Sequence, residues 1–230
     1  MSRFWSILKN RRVATGILLL LILLFLFILI FRSCRRPERE SARKYLERLS
    51  NPVAENRIDA VLGLGRLGEK EAVPALEKML ASDPEERVRR AASHSVLLLD
   101  RQKFLLLLKS PEEEIRSVCL ETLARQEKEG VISYLKESLY DSSLLVRKTG
   151  VKFLLQSSAP QAADALLWLA EKTAEDTVLR IEALAGLGRK AGADRRPRLQ
   201  HLAQWEKDVS VRTAAAAAIV EIEKRIKTEQ

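Results

Sequence analysis

The sequence predicts an all-α protein: a right-handed α-solenoid of about five helix pairs plus a capping helix, preceded by one transmembrane helix. Three observations carry this. Residues 13–31, VATGILLLLILLFLFILIF, hold no charge. Down the rest of the chain an apolar residue followed by arginine recurs at near-constant intervals. Three positions after each of those arginines stands a small residue.

The N-terminal elements come first. A basic flank, residues 1–12, holds Arg3, Lys9, Arg11 and Arg12 and no acid. The nineteen residues of 13–31 would form a helix about 28 Å long, close to the roughly 30 Å hydrocarbon core of a bilayer. Buried core helices rarely stay apolar on every face for so long. Trp5 stands where an interfacial aromatic belongs. Arg32, Arg35, Arg36 and Arg39 follow the span, so the positive-inside rule is nearly balanced. It leans toward an N-terminus inside and repeats on the outer side, with the cytoplasmic side open. A cleaved signal peptide would have a shorter apolar region and a small-residue cleavage site, which RSCRRPE does not offer. FRSC, ending at Cys34, is a poor lipidation box because it contains Arg32, so a free juxtamembrane thiol is the simpler reading.

The formal net charge is +9, but residues 1–36 supply seven basic and no acidic residues. That leaves 33 basic against 31 acidic residues over 37–230, or +2. The excess therefore belongs to the membrane flanks, and the charge argument for nucleic acid largely disappears. Two cysteines, Cys34 and Cys119, make no disulfide framework.

Residues 32–50 read as a juxtamembrane linker and capping helix, with 51–230 as the repeat domain. The repeat arginines are Arg57, Arg89, Arg116, Arg147, Arg180 and Arg212, separated by 32, 27, 31, 33 and 32 residues. The small residues are Ala60, Ala92, Cys119, Gly150, Ala183 and Ala215. Six positions before the first four arginines stand Asn51, Asp83, Ser110 and Asp141. In the clearest unit, 51–82, Asn51-Pro52 marks a cap and a helix start. Ile58, Val61, Leu62, Leu64 and Leu67 form the apolar face of the first helix, and Gly68 stops it. EAVPALEKMLA then sets Val73, Leu76, Met79 and Leu80 on one stripe of a second helix. Neither helix can bury its face alone, so stacked units must supply the core. The small residue lets the paired helix approach, and an acceptor at the turn can meet the arginine of the same or the preceding unit. The second unit is shortened to about QKFLLLLKS in its second helix, and VRTAAAAAIVEIEKRIKTEQ closes the stack as a lone helix.

The pattern of Asp83-Pro84, Val88-Arg89 and Ala92, with GLGRLGEKEAVPAL at 63–76 and EALAGLGRKAG at 182–192, resembles HEAT-like repeats of the phycobilisome-lyase type. The resemblance covers roughly residues 51–227. It implies a stack of helix pairs and an extended surface of the kind used to hold another protein. A bilin lyase or another repeat-based enzyme accessory activity is the alternative, of a different class, and fold alone does not choose between them.

Visible chemistry argues against an enzyme. Gly63-Leu-Gly65-Arg-Leu-Gly68 matches a dinucleotide fingerprint, but a true one follows a strand and opens a helix, whereas this one closes a helix. His94 and His201 are the two histidines, and neither is followed by glutamate, so the paired His-Glu sites of HEAT-type di-iron hydroxylases are missing. No histidine or cysteine cluster has metal-ligand spacing. No cofactor and no small-molecule substrate is expected. The expected partners are the membrane, through 13–31, and a protein on the repeat surface. Trp168, inside ALLWLAEK, and Trp205, in HLAQWEKD, are candidate anchors on second helices. For Trp168 the core reading is favoured; for Trp205 the two readings are even.

Overall fold

The computed structural model describes residues 20, 22–25, 41–126 and 130–229. Most of the predicted span at 13–31, together with Cys34, lies outside them. Among the described residues no helix is long and apolar enough to cross a membrane, and no strand occurs.

A short helix, α1 (41–48), opens the ordered stack. Five helix pairs follow. They are α2 (Ala54–Leu67) with α3 (Val73–Ser82), α4 (Glu86–Leu99) with α5 (Arg101–Leu107), and α6 (Glu113–Gln126) with α7 (Val131–Ser138). Next come α8 (Leu144–Gln156) with α9 (Pro160–Glu171), and α10 (Thr177–Lys190) with α11 (Arg196–Trp205). The chain ends in α12 (Val209–Glu229). Each first helix packs on the first helix of the next unit, and each second helix packs on that same neighbour. This is the arrangement of a solenoid, in which a unit's apolar face is covered by the unit after it. One continuous core results, from Ala42 and Leu49 at one end to Ala218 and Ile222 at the other.

Local chemistry explains the boundaries. Gly68 closes α2 in the left-handed region, φ 72°, with its N–H on the Gly65 carbonyl. A side chain there would be strained, which is why glycine ends the helix. Asn51 does not cap α2 as the sequence suggested. Its Oδ1 accepts the Val53 N–H at 2.9 Å, an Asx turn, and the helix starts two residues later than a cap would place it. The glycines of the false fingerprint serve packing. A Cβ on Gly63 would lie 2.5 Å from the ring of Tyr45, so α1 seats its tyrosine directly on the α2 backbone.

The small residues after each arginine are buried, and Gly150 does not face the helix predicted. A Cβ on Gly150 of α8 would lie 3.3 Å from the Leu135 carbonyl oxygen of α7. The close approach is therefore to the second helix of the preceding unit, not to the paired helix α9. At the C-terminal end the alanine run lets α12 lie on α10, where a Cβ on Gly188 would come within 3.3 Å of the Ala218 Cα. The second unit is the short one: α5 has seven residues and is capped by Asp100, whose carboxylate accepts the Lys103 N–H at 2.9 Å.

Candidate functional site

Two features stand out: a ladder of arginines and carboxylates along the stack, and aromatic side chains near the ends of the second helices of the last three units.

The ladder starts from the turn between units. The Asp83 carboxylate accepts the Glu85 N–H at 2.9 Å, shaping the turn, and takes Arg57 Nε and Nη2 at 2.7 and 2.8 Å. The third guanidinium nitrogen, Nη1 of Arg57, donates to the Asn51 and Pro52 carbonyls. Arg57 thus holds its own turn by main-chain oxygens and reaches forward to the carboxylate of the next. Arg116 repeats this with Asp141 at 2.8 and 2.7 Å, and with the Ser110 and Pro111 carbonyls behind it. Arg147 binds Glu175 at 3.0 and 2.9 Å and the Asp141 and Ser142 carbonyls. Arg180 pairs with Glu206 but turns its Nε to the Ala170 carbonyl at 2.8 Å. Arg212 holds the Glu206 and Lys207 carbonyls.

Arg89 breaks the ladder within the stack. Its Nη1 donates to the Asp83 and Pro84 carbonyls, as those of Arg57, Arg116 and Arg147 do to theirs, but the next turn offers Ser110 in place of a carboxylate. Among the described residues Arg89 makes no ion pair. Ser110 still shapes its turn, accepting the Glu112 N–H at 3.3 Å.

The rungs are nearly dry. Side-chain exposure is 10% and 3% for Arg57 and Asp83, and 3% and 6% for Arg180 and Glu206. Burial alone would push the Asp83 and Asp141 carboxyls up. The guanidiniums of Arg57 and Arg116 and the turn N–H groups outweigh it and hold both below the usual carboxylate range. Glu175 follows the same balance through Arg147 and the Asp176 N–H. In Glu206 the Arg180 hydrogen bond is the largest influence, and that carboxyl too is lowered. Sequence reasoning found Asp83 and Asp141 but missed Glu175 and Glu206. Glu206 stands six residues before Arg212, at the same spacing as Asp83 before Arg89, so its signal was available. Glu175 is one place off that spacing, and its longer side chain covers the difference.

Cys119, in the small-residue series, receives the Ser93 hydroxyl at 3.6 Å, and burial pushes its thiol up to about 12. It is protonated and inert. Ser95 donates to the Val61 carbonyl at 3.0 Å. The two serines beside His94 thus tie helices together rather than face solvent. Among the described residues no group of three or more His, Cys, Asp and Glu side chains could hold a metal ion.

The aromatics sit on the side of the second helices. Tyr140, just past α7, is 66% exposed, and its ring lies 4.4 Å from that of Trp168 on α9. Trp168 is half-buried: one part packs on the core, while Tyr140 and the Lys172 ammonium, 5.3 Å from the ring, cover the rest. Trp205, the last residue of α11, is 72% exposed. Tyr140 and Trp205 each lie by a cleft. Leu105, Leu108, Tyr134 and Tyr140 line one of about 420 Å³, together with Arg116 and Asp141. Trp205, His201, Leu202 and Glu171 border a shallower one of about 630 Å³. The structure thus brings Trp168 to Tyr140 and leaves Trp205 apart, one unit further on.

Several solved structures are similar to this chain at low identity. Human deoxyhypusine hydroxylase is 19% identical, with 81% of this chain and 75% of that one covered and a TM-score of 0.47. An archaeal HEAT-like repeat protein from Thermococcus onnurineus NA1 is 16% identical over 82% of this chain and 89% of that one, with a TM-score of 0.37. An engineered protein is 18% identical over 80% and 96%, with a TM-score of 0.40. No curated protein matches the sequence. Residues 34–97 and 102–185, more than half of the chain, match the HEAT-repeat family, and the chain belongs to that family.

Proposed function

We propose that this protein is a membrane-anchored scaffold whose HEAT repeats hold a protein partner along the side of the second helices. The observation that carries the reading is the exposure of Tyr140 and Trp205, 66% and 72%, each at the rim of a cleft. Large aromatics lose little conformational entropy on binding and dominate interface energetics, so leaving two of them bare favours a surface that is covered in use. The ladder supports the same reading, because it fixes the third unit to the fourth and the fourth to the fifth, stiffening the units that carry Tyr140 and Trp205. The anchor rests on the uncharged sequence of 13–31 and its basic flanks. The bilin-lyase alternative has only the repeat pattern behind it, and the absorbance of a bilin mixed with the protein tests it.

A photo-reactive amino acid placed at 140 or 205 in the full chain, irradiated in native membranes, tests the partner face. One discrete adduct from both positions, absent when the probe sits at exposed Val178, is the expected result. Labelling from 178 that equals labelling from 140 and 205 would sink the proposal. Deleting 13–31 should move the protein from the carbonate-resistant membrane fraction to the supernatant. A protease-accessible tag after Gln230 in right-side-out membranes would place the repeats outside; a protected tag would place them in the cytoplasm.

A further inference from the structure

A cleft of about 280 Å³ opens where the start of α9, the end of α10 and the C-terminal part of α12 meet. Arg189, Lys190, Arg195 and Arg225 line it, and no carboxylate does. Arg195 is neutralised from outside the cleft by Asp164 and Asp194, at 2.8 and 2.9 Å. The other three are not. Lys190 Nζ donates to the Ser157 carbonyl at 2.7 Å, and Arg225 donates to the carbonyls of Arg189 and Ala191. Among the described residues none of these three makes an ion pair. Burial, and then the charge of neighbouring Arg189, push the Lys190 ammonium below its ordinary range. Burial and like charge therefore carry a cost, which main-chain carbonyls offset in part and no carboxylate of the cleft balances. The first turn of α9 adds no acid to offset it.

Three cations carried by two helices, converging on one cleft, suit a ligand with several negative oxygens pointing in different directions. A single carboxylate would leave two of the charges unmatched. A tetrahedral dianion would accept from all of them, and charge-assisted bonds of this kind are the strong ones. We infer that the cleft between α9, α10 and α12 binds a phosphate monoester, either free in solution or carried on a membrane lipid headgroup. The site lies away from both aromatic clefts and does not depend on the partner-binding reading.

The test uses the full chain in nanodiscs of neutral phosphatidylcholine, titrated with inorganic phosphate against sodium chloride at matched ionic strength. Phosphate should raise the melting temperature saturably, by about 3–6 °C at tenfold excess over its dissociation constant. Arg189 is exposed, so Arg189→Glu should fold normally and lose the shift, and Lys190→Gln should weaken it. Repeating the titration in nanodiscs containing phosphatidic acid separates the sources. A melting temperature already raised, with no further response to phosphate, marks the lipid. An unchanged response marks the free anion. A response no larger than that to chloride in both nanodiscs, or one kept in full by Arg189→Glu, overturns the assignment.

Discussion

The two junctions made by the second unit differ sharply. On its N-terminal side, α4 packs closely on α2 and α3, the Arg57–Asp83 fork is buried between them, and the Ser95 hydroxyl reaches across to the Val61 carbonyl. On its C-terminal side, α4 and the seven-residue α5 meet α6 over a much smaller contact, Arg89 faces Ser110, and a cleft of about 420 Å³ opens. A HEAT stack is a chain of nearest-neighbour interfaces, so its weakest junction sets where it opens first. A scaffold that can flex there, while its outer units stay fixed, could fit partners of differing shape.

The largest effect should come from breaking a good rung. Asp83→Ala leaves the Arg57 guanidinium buried without a counter-charge and should cost about 3 kcal/mol in urea unfolding of the detergent-solubilised chain. A loss below about 1 kcal/mol would mean that the fork adds little beyond helix packing. Gly150→Val comes next. Its side chain would meet both Ser138 and the Leu135 carbonyl oxygen, forcing α7 and α8 apart for about 2 kcal/mol. Hydrogen exchange should then rise at the junction of the third and fourth units until it resembles that of the second and third.

Acid should blur the contrast between junctions. The folded carboxyls of Asp83, Asp141, Glu175 and Glu206 are all held low. Their contribution is complete above the ordinary carboxylate range and is lost as pH falls through the folded values. The junction at Ser110 has no ladder carboxylate to lose, only the exposed Glu112, which the Ser110 hydroxyl holds low. Exchange protection measured stepwise from pH 6 to pH 3 should fall at the paired junctions and change less at Ser110. Uniform loss at every junction would contradict this.

The smallest effect is a gain. Ser110→Asp offers Arg89 the carboxylate that its counterparts have and should stabilise the chain by about 1 kcal/mol. The gain should vanish in an Arg89→Gln background. If it survives there, the new aspartate acts on the helix start rather than on the ladder.

The residues themselves show why some of this was legible and some was not. Gly68, the prolines after the turns and the apolar stripe of Val73, Leu76 and Leu80 act within a few residues of chain, so their spacing is a direct record of local structure. The arginine period revealed the units for the same reason. The direction of each arginine's reach was harder to read. Asp83 serves two units at once, giving its carboxylate to Arg57 and its carbonyl to Arg89, and only stacked units bring those groups together. Asn51 was read as a cap because Asn, Asp and Ser serve both caps and Asx turns, and short-range spacing separates the two poorly.

By itself, then, the sequence determined the helices, the turns, the repeat length and the positions that must be small, because each depends on interactions along the chain. It also determined that the second unit is short and lacks a ladder carboxylate. Tertiary structure decided which neighbour each small residue faces, that Glu175 and Glu206 complete the ladder, and that Trp168 is half covered by Tyr140 while Trp205 is bare. It also gathered Arg189, Lys190 and Arg225 at one cleft. Those outcomes depend on how one unit is rotated and offset against the next, a sum of many side-chain contacts between residues some 25 to 36 positions apart. No local spacing encodes that sum.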